Sequence, residues 1–312
     1  MSESTASHGA RTVGFIGLGT MGREMAANLL KAGFAVRAYD VRREAVEALA
    51  ALGAYPATSV AEAADGADAA IMMLPNTPDV EAVMLGEQGL MAAVRTDCVV
   101  IDMSTIAPAA ARALHERCAR QGIEFVDAPV SGGPAGAHGA TLSIMAGGTQ
   151  QGFEAALPFF RAMGTTITHV GASGAGQTVK LCNQLVCGIN IQAICEALAL
   201  GRAAGVDLKQ LRDVLMGGSA ASWMLERLGN AMIDGDDRAG FRINLMLKDL
   251  RLVLDESFAL NVPLPASSLV TSQYVDAMAH GEAGNGNQAL FRVYDRMTAQ
   301  HTPAAPAAQP AR

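Results

Sequence analysis

Lys180, Asn183, Gln184 and Asn190 stand at i, i+3, i+4 and i+10, a spacing that lines them along one face of a helix. The stretch around them, Gly174 to Ala204, contains no proline, and at ~1.5 Å per residue it makes a rod of roughly 40 Å. Its other positions are apolar (among them Leu181, Leu185, Ile191, Ile194 and Leu198), so the pattern predicts a buried helix, long enough to join two domains, with a polar stripe through it. A desolvated ammonium needs partners, and a lysine flanked by amides one turn away is placed to give or take a proton. A lysine near a helix end that reaches water, with amides that satisfy buried backbone, would leave the same pattern. The stretch alone does not separate the two.

A second chemistry-bearing spacing lies near the start. Gly17-Leu18-Gly19-Thr20-Met21-Gly22 is a GxGxxG run between the apolar segment Thr12 to Gly17 and a helical period over Thr20 to Lys31, and a second apolar segment, Phe34 to Tyr39, ends at Asp40. The first glycine makes a tight turn, the second lets backbone approach a pyrophosphate, the third lets helix pack on strand, and the helix N-terminus attracts the anion. In a strand-turn-helix setting with an acid ending the second strand, the run points to dinucleotide binding.

The elements that must position these residues alternate. Helix Arg43 to Leu52, strand Ala69 to Leu74, helices through Pro78 to Val94, strand Cys98 to Met103, helix Pro108 to Arg120 and strand Glu124 to Val130 follow, then strand Thr141 to Ala146, helix Gln150 to Met163 and strand Thr166 to Val170. This predicts an α/β fold with a parallel, doubly wound sheet. Ligands on such sheets sit beyond the carboxyl ends of the strands, which nominates Leu74-Pro75-Asn76, Ser104-Thr105 and Asp127 to Gly133. Beyond the long helix the sequence reads as helical throughout, with breaks at Gly217-Gly218, Asp234 to Asp237 and Gly281 to Asn287, so the second domain is expected to be all-α.

Composition narrows the partners. With 312 residues two domains are the default, and a net charge of −7 without any Lys/Arg run argues against a nucleic-acid or anionic-membrane surface. The five cysteines are odd in number and lack a CxxC pair, which reads as free thiols in a reducing, cytoplasmic compartment, with no zinc site. The first residues lack an apolar signal core, and the long helix carries too many amides for a membrane span. The domain limits read as 1–11 a disordered leader, 12–173 the dinucleotide-binding domain, 174–299 the helical domain and 300–312 a disordered Pro/Ala tail. Apolar residues on several faces of the helical domain predict a homodimer or homotetramer.

With these residues placed, the chain resembles the 3-hydroxyacid (β-hydroxyacid) dehydrogenase family over nearly its whole length. GFIGLGTMGREMAANL (Gly14 to Leu29), DAPVSGG (Asp127 to Gly133), GAGQTVKLCNQ (Gly174 to Gln184) and GFRINLMLKDL (Gly240 to Leu250) carry the resemblance. The branch it most resembles is that of the tartronate semialdehyde (2-hydroxy-3-oxopropionate) reductases, with 3-hydroxyisobutyrate dehydrogenases as the alternative. The resemblance implies a hydride transfer between NAD, or NADP, and a small carboxylate substrate. It makes Lys180 the catalytic lysine and Asn183 the amide beside it. Ser131, Gly132 and Gly133 would hold the substrate carboxylate, and Phe241 would line the substrate pocket. Leu74, Pro75 and Thr105 would contact the cofactor near its nicotinamide end, while Lys248 and Asp249 match a pair that closes the site from the helical domain. Asp249 could instead pair within its helix, Phe241 be core and Ser131 a turn former. Asp40 favours NAD, because it can accept both ribose hydroxyls and would repel a 2′-phosphate, although Arg42 and Arg43 stand close by. Two departures bear on the substrate: Ala140 replaces a usual glycine after the substrate loop, and Gly286 and Gln288 replace the usual Asp and Ser. A nucleotide-binding protein without catalysis, and an imine reductase lacking the lysine, are the competing classes, and Lys180 counts against both.

Overall fold

The computed structural model describes residues 11–299. The expected leader, but for Arg11, and the expected tail lie outside the described residues. Contacts divide the chain into two compact units, with the division between Cys182 and Asn183.

The first unit opens with β1 (Thr12–Ile16), α1 (Gly22–Lys31), β2 (Ala35–Tyr39), α2 (Arg43–Ala50), β3 (Tyr55–Pro56), α3 (Val60–Ala64) and β4 (Ala69–Met72). It continues through α4 (Thr77–Leu85), α5 (Leu90–Ala93), β5 (Val99–Asp102), α6 (Pro108–Ala119), β6 (Glu124–Asp127), β7 (Val130–Ser131) and α7 (Gly133–His138). Then come β8 (Leu142–Gly147), α8 (Gln150–Met163), β9 (Gly164–Gly171) and the long α9 (Ala175–Ala203). The strands form one sheet in the order β3-β2-β1-β4-β5-β6-β8-β7, with β9 on β8. From β3 to β6 every pairing is parallel.

Both faces of this sheet are covered, and the strand sequences show why. Val13 and Phe15 of β1, Ala69 and Ile71 of β4, and Val99 and Ile101 of β5 enter one core with α1 and α8. Their alternates Ile16, Ala70, Met72 and Val100 enter a second core with α4 and α6. A side-chain period of two with both phases apolar is what a sheet buried on each face requires. Helix starts are set locally: Asn76 accepts a hydrogen bond from the Asp79 amide with Pro78 in the first turn of α4, and Ser59 and Thr149 cap α3 and α8 in the same way.

The sheet is not wholly parallel, and the expected strand Glu124 to Val130 is two strands. β6 stops at Asp127, and after Pro129 the chain resumes as β7, which pairs antiparallel with β8. Proline has no N–H to extend the ladder, so the break falls there.

In the second unit α9 is followed by α10 (Leu208–Met216), α11 (Trp223–Asp234), α12 (Ile243–Leu260), α13 (Pro265–Ala279), a short 3-10 helix (Asn287–Leu290) and α14 (Phe291–Ala299). Ile191, Ile194, Cys195 and Leu198 of α9 pack with Ile243, Met246 and Leu250 of α12 and with Val270 and Tyr274 of α13. Among the described residues the one strand-like feature here is a bridge between Arg242 and Gly286. The sequence expectation that the apolar positions of α9 are buried fails at Val186 and Leu200, which are exposed.

Candidate active site

The turn after β1 is shaped by its glycines. Gly17 has φ +95°, and a Cβ on it would collide with the Met73 carbonyl; a Cβ on Gly22 would collide with the Gly17 carbonyl. Gly19 has nothing within 4 Å of an added Cβ, so its face is open. Met21, before the first residue of α1, makes no side-chain cap, so no side chain occupies the helix N-terminus that would face an anion, although the Arg23 and Met25 amides already donate to the Gly19 and Met21 carbonyls. These are the properties a dinucleotide's pyrophosphate needs, so the residues present fit that group. Thr20 is exposed at the turn, while Leu18 is buried.

Asp40 follows the last residue of β2 and is already engaged. Its Oδ2 accepts from the Leu18 amide at 2.7 Å, and its Oδ1 accepts from the Arg42 amide at 2.8 Å and from Arg42 Nε at 3.1 Å. Arg42 Nη2 also donates to the Leu18 carbonyl at 3.2 Å. Burial works against the Asp40 charge, but the Arg42 side chain and the two backbone amides outweigh it and hold the carboxyl below the usual range. The acid at the second strand's end thus braces the glycine turn, a role beyond the ribose contact read from the sequence.

The carboxyl ends of β4, β5 and β6 converge on the start of α9. The Leu74 amide donates to Ser104 Oγ at 2.9 Å, and the Ser104 amide donates to Asp102 Oδ1 at 3.0 Å. Gln177 is fully buried; its Oε1 accepts from the Ile106 amide at 3.0 Å and its Nε2 donates to the Ser104 carbonyl at 2.9 Å, one bond on each side of Thr105. Asp127 caps the same helix: Oδ1 accepts from the Gly174 amide at 2.7 Å and Oδ2 from the Gln177 amide at 2.9 Å. Burial raises the Asp127 carboxyl to about 6 against the pull of those amides. Lys180, one turn beyond Gln177, is 7% exposed. Pro75 is exposed beside the half-buried Leu74.

Ser131 lies in β7, Gly132 precedes α7 with φ +132°, and Gly133 opens that helix with φ +62°. The two left-handed glycines turn the backbone so that consecutive N–H groups can face one point, and nothing lies within 4 Å of an added Cβ at Gly133. Neither α7 nor β7 was legible as an element. Ala140, next in the chain, takes φ +53°, the left-handed region where a glycine is the usual occupant.

Within the second unit Asn183 Nδ2 donates to Gln184 Oε1 at 2.8 Å, and Gln184 Nε2 donates to Asp249 Oδ2 at 2.6 Å. Lys248 Nζ pairs with Asp249 Oδ1 at 2.8 Å, and Asp249 is 1% exposed. Gln184 stands in the polar stripe read from the sequence; its partner on α12 is sixty-five residues away and left no local mark. Phe241 is half-buried, and its carbonyl accepts from the Asn287 amide. Gln288 Nε2 donates to the carbonyls of Asp236 and Arg238, so the segment leading to Phe241 is tied down from the far end of the unit. Among the described residues no group of three or more His, Cys, Asp or Glu side chains could hold a metal ion.

Comparison with known proteins bears on what these residues do. Residues 12–171 match a family model described as the NAD binding domain of 6-phosphogluconate dehydrogenase. Residues 174–294 match one described as the NAD-binding of NADP-dependent 3-hydroxyisobutyrate dehydrogenase. The chain is 39% identical to 3-hydroxyisobutyrate dehydrogenase of Pseudomonas aeruginosa, over 91% of this chain and 99% of that protein. It is 38% identical to 2-hydroxy-3-oxopropionate reductase of Escherichia coli, over 91% of this chain and 97% of that protein. The structure of Mycobacterium tuberculosis 3-hydroxyisobutyrate dehydrogenase with L-serine superimposes with a TM-score of 0.84 at 34% identity, covering 91% of this chain and 98% of the other. Matches at these lengths span both the glycine turn and the lysine helix, and on them the chain belongs to the 3-hydroxyacid dehydrogenase family, as an NAD(P)-dependent oxidoreductase of CH–OH groups.

Proposed function

We propose that the chain interconverts 2-hydroxy-3-oxopropionate and glycerate, with Lys180 as the group that gives or takes the proton. The observation that carries this reading is the setting of Lys180: a buried lysine on a helix whose first turn is bonded to the main chain on both sides of Thr105 and to Asp127. The nicotinamide, when bound, supplies or takes up the hydride. As a C–H bond forms at the aldehyde carbon and its C=O π bond breaks, the Lys180 ammonium donates a proton to the oxygen. The amine left behind recovers its proton from water, and in the reverse direction a neutral Lys180 accepts. Asn183, three residues on, is assigned to orient the substrate beside the lysine. Ser131 and the backbone N–H groups of Gly132 and Gly133 are assigned to the carboxylate, a fit supported by the two left-handed glycines.

Gly17 to Gly22 and Asp40 take the adenosine diphosphate end, and Leu74, Pro75, Thr105 and Lys248 the nicotinamide end. Phe241 and Asp249 are assigned to the substrate, Asp249 because Gln184 and Lys248 hold a buried carboxylate there in one orientation. NAD is the preferred cofactor: the Arg42 guanidinium is bound to Asp40, which opposes its use on a 2′-phosphate. The functional boundary is set at residue 174, giving domains 12–173 and 174–299. Five free cysteines support a reducing, cytoplasmic setting. Although α9 has the length and apolarity to cross a membrane, Gln177, Lys180, Asn183 and Gln184 on it oppose that use.

Lys180→Ala tests the reading. Turnover of 2-hydroxy-3-oxopropionate with NADH falls at least ~100-fold while NADH binding, followed by its fluorescence, stays within about 3-fold. Turnover close to that of the unaltered chain, in folded protein, rules Lys180 out as the proton donor.

A further inference from the structure

Gln177 is a polar residue buried beside the proposed site to which neither a ligand contact nor a chemical step has been given. It is fully buried, and its amide is oriented without ambiguity: the Ile106 N–H can only donate, to Oε1, and the Ser104 carbonyl can only accept, from Nε2. Those two bonds grip the main chain immediately before and after Thr105. Ser104 in turn takes the Leu74 amide on its hydroxyl. The backbone N–H of Gln177 itself is held by Asp127, at the end of β6. One residue therefore joins the ends of β4, β5 and β6 to the helix turn that precedes Lys180.

Close approach at the helix start leaves this joint little freedom. A Cβ on Gly176 would collide with the carbonyls of Met145 and Asp127, and one on Gly147 would come within 2.7 Å of the Gly176 nitrogen and 2.8 Å of Asp127 Oδ1. At Gly176 the backbone of the first turn of α9 is seated directly on the ends of β6 and β8. Rotation of the helix about its axis, which would swing Lys180, must break the Gln177 bonds first.

We propose that Gln177 is a positioning residue for the reaction: by clamping both sides of Thr105 to the lysine helix it sets where the proton is delivered relative to where the hydride arrives. This rests on the reading of Lys180 as proton donor and of Thr105 as a neighbour of the nicotinamide. Hydride and proton transfer to one carbonyl need both partners aligned, so a small loss of register acts on the chemical step and leaves ground-state binding alone.

The test uses the full chain with 2-hydroxy-3-oxopropionate and NADH. Gln177→Met keeps the side-chain length and apolar packing but removes both bonds. Gln177→Glu keeps the acceptor for Ile106 and loses the donor to Ser104. Expected for Gln177→Met is a fall in kcat of at least about 10-fold with KM and the NADH dissociation constant within about 3-fold. The deuterium isotope effect on kcat, measured with NADH deuterated at C4, rises as hydride transfer becomes limiting. Gln177→Glu shows the same split with a smaller fall, and it decides the matter if the methionine variant does not fold. A kcat within about 3-fold of the unaltered chain, an isotope effect that does not change, or a loss confined to KM and NADH affinity overturns the proposal. Lys180→Ala separates the two layers: if it is inactive while Gln177→Met is not, only the positioning role fails, and if it is fully active the reading beneath fails with it.

Discussion

Asp127 holds two roles that pull its ionisation in opposite directions. Capping the first turn of α9 with both oxygens favours the carboxylate, since helix N-terminal amides stabilise negative charge. Complete burial at the end of β6 disfavours it and wins by enough to raise the group to about 6, from 3.8 for an ordinary aspartate. The folded state therefore binds this proton more tightly than the unfolded state. Stability linked to it is fully present below about pH 4 and is lost as pH rises through 6, by about 2 kcal/mol between pH 4 and pH 7. Asp127→Asn has no such proton to lose. Urea unfolding across that range is expected to show the variant gaining on the unaltered chain by that amount as pH rises. Parallel curves would mean that the carboxyl titrates at its ordinary value.

At the scale of elements, the glycine turn after β1 could be read from sequence because Gly17 and Gly22 answer steric demands, and a strand and a helix flank it with clear periods. The long helix with Lys180 was legible for the same reason. What joins them was not. The bonds from Gln177 to Ser104 and Ile106 span more than seventy residues, and no period or spacing announces such a pair. β7 and α7 escaped because a two-residue strand followed by Gly133-Pro134-Ala135-Gly136 has the composition of a turn. The departure at Ala140, in contrast, was visible in sequence and gains its meaning from geometry. Its φ of +53° places a Cβ in the left-handed region at a cost of roughly 1 kcal/mol or more, just where the chain leaves α7 for β8. Ala140→Gly is expected to raise stability by about 0.5–1 kcal/mol, after the added freedom of glycine in the unfolded chain is set against the relief. An unchanged or lower melting temperature would show that the loop carries no such strain. The Gly286 and Gln288 departures are likewise matched: a Cβ at 286 would come within 2.6 Å of the Gln288 amide nitrogen, so the glycine is what admits the glutamine that ties down Asp236 and Arg238.

For the whole molecule, the second unit leaves Val186 and Leu200 of α9, Val214 of α10, Phe258 and Leu260 of α12 and Leu269 of α13 exposed. A contiguous exposed apolar face is uncommon on a monomer, and the expectation is that a symmetric pairing of helical units covers these side chains. Light scattering at micromolar concentration is expected to give a multiple of the 32.2 kDa chain mass, and a single-chain mass would refute the oligomer. The most direct test of the proposed reaction is the initial rate of nicotinamide oxidation by the full chain with 2-hydroxy-3-oxopropionate, run in parallel with NADH and NADPH. Rapid turnover with a higher kcat/KM for NADH is the predicted result, and cofactor binding without any turnover of 2-hydroxy-3-oxopropionate would contradict it.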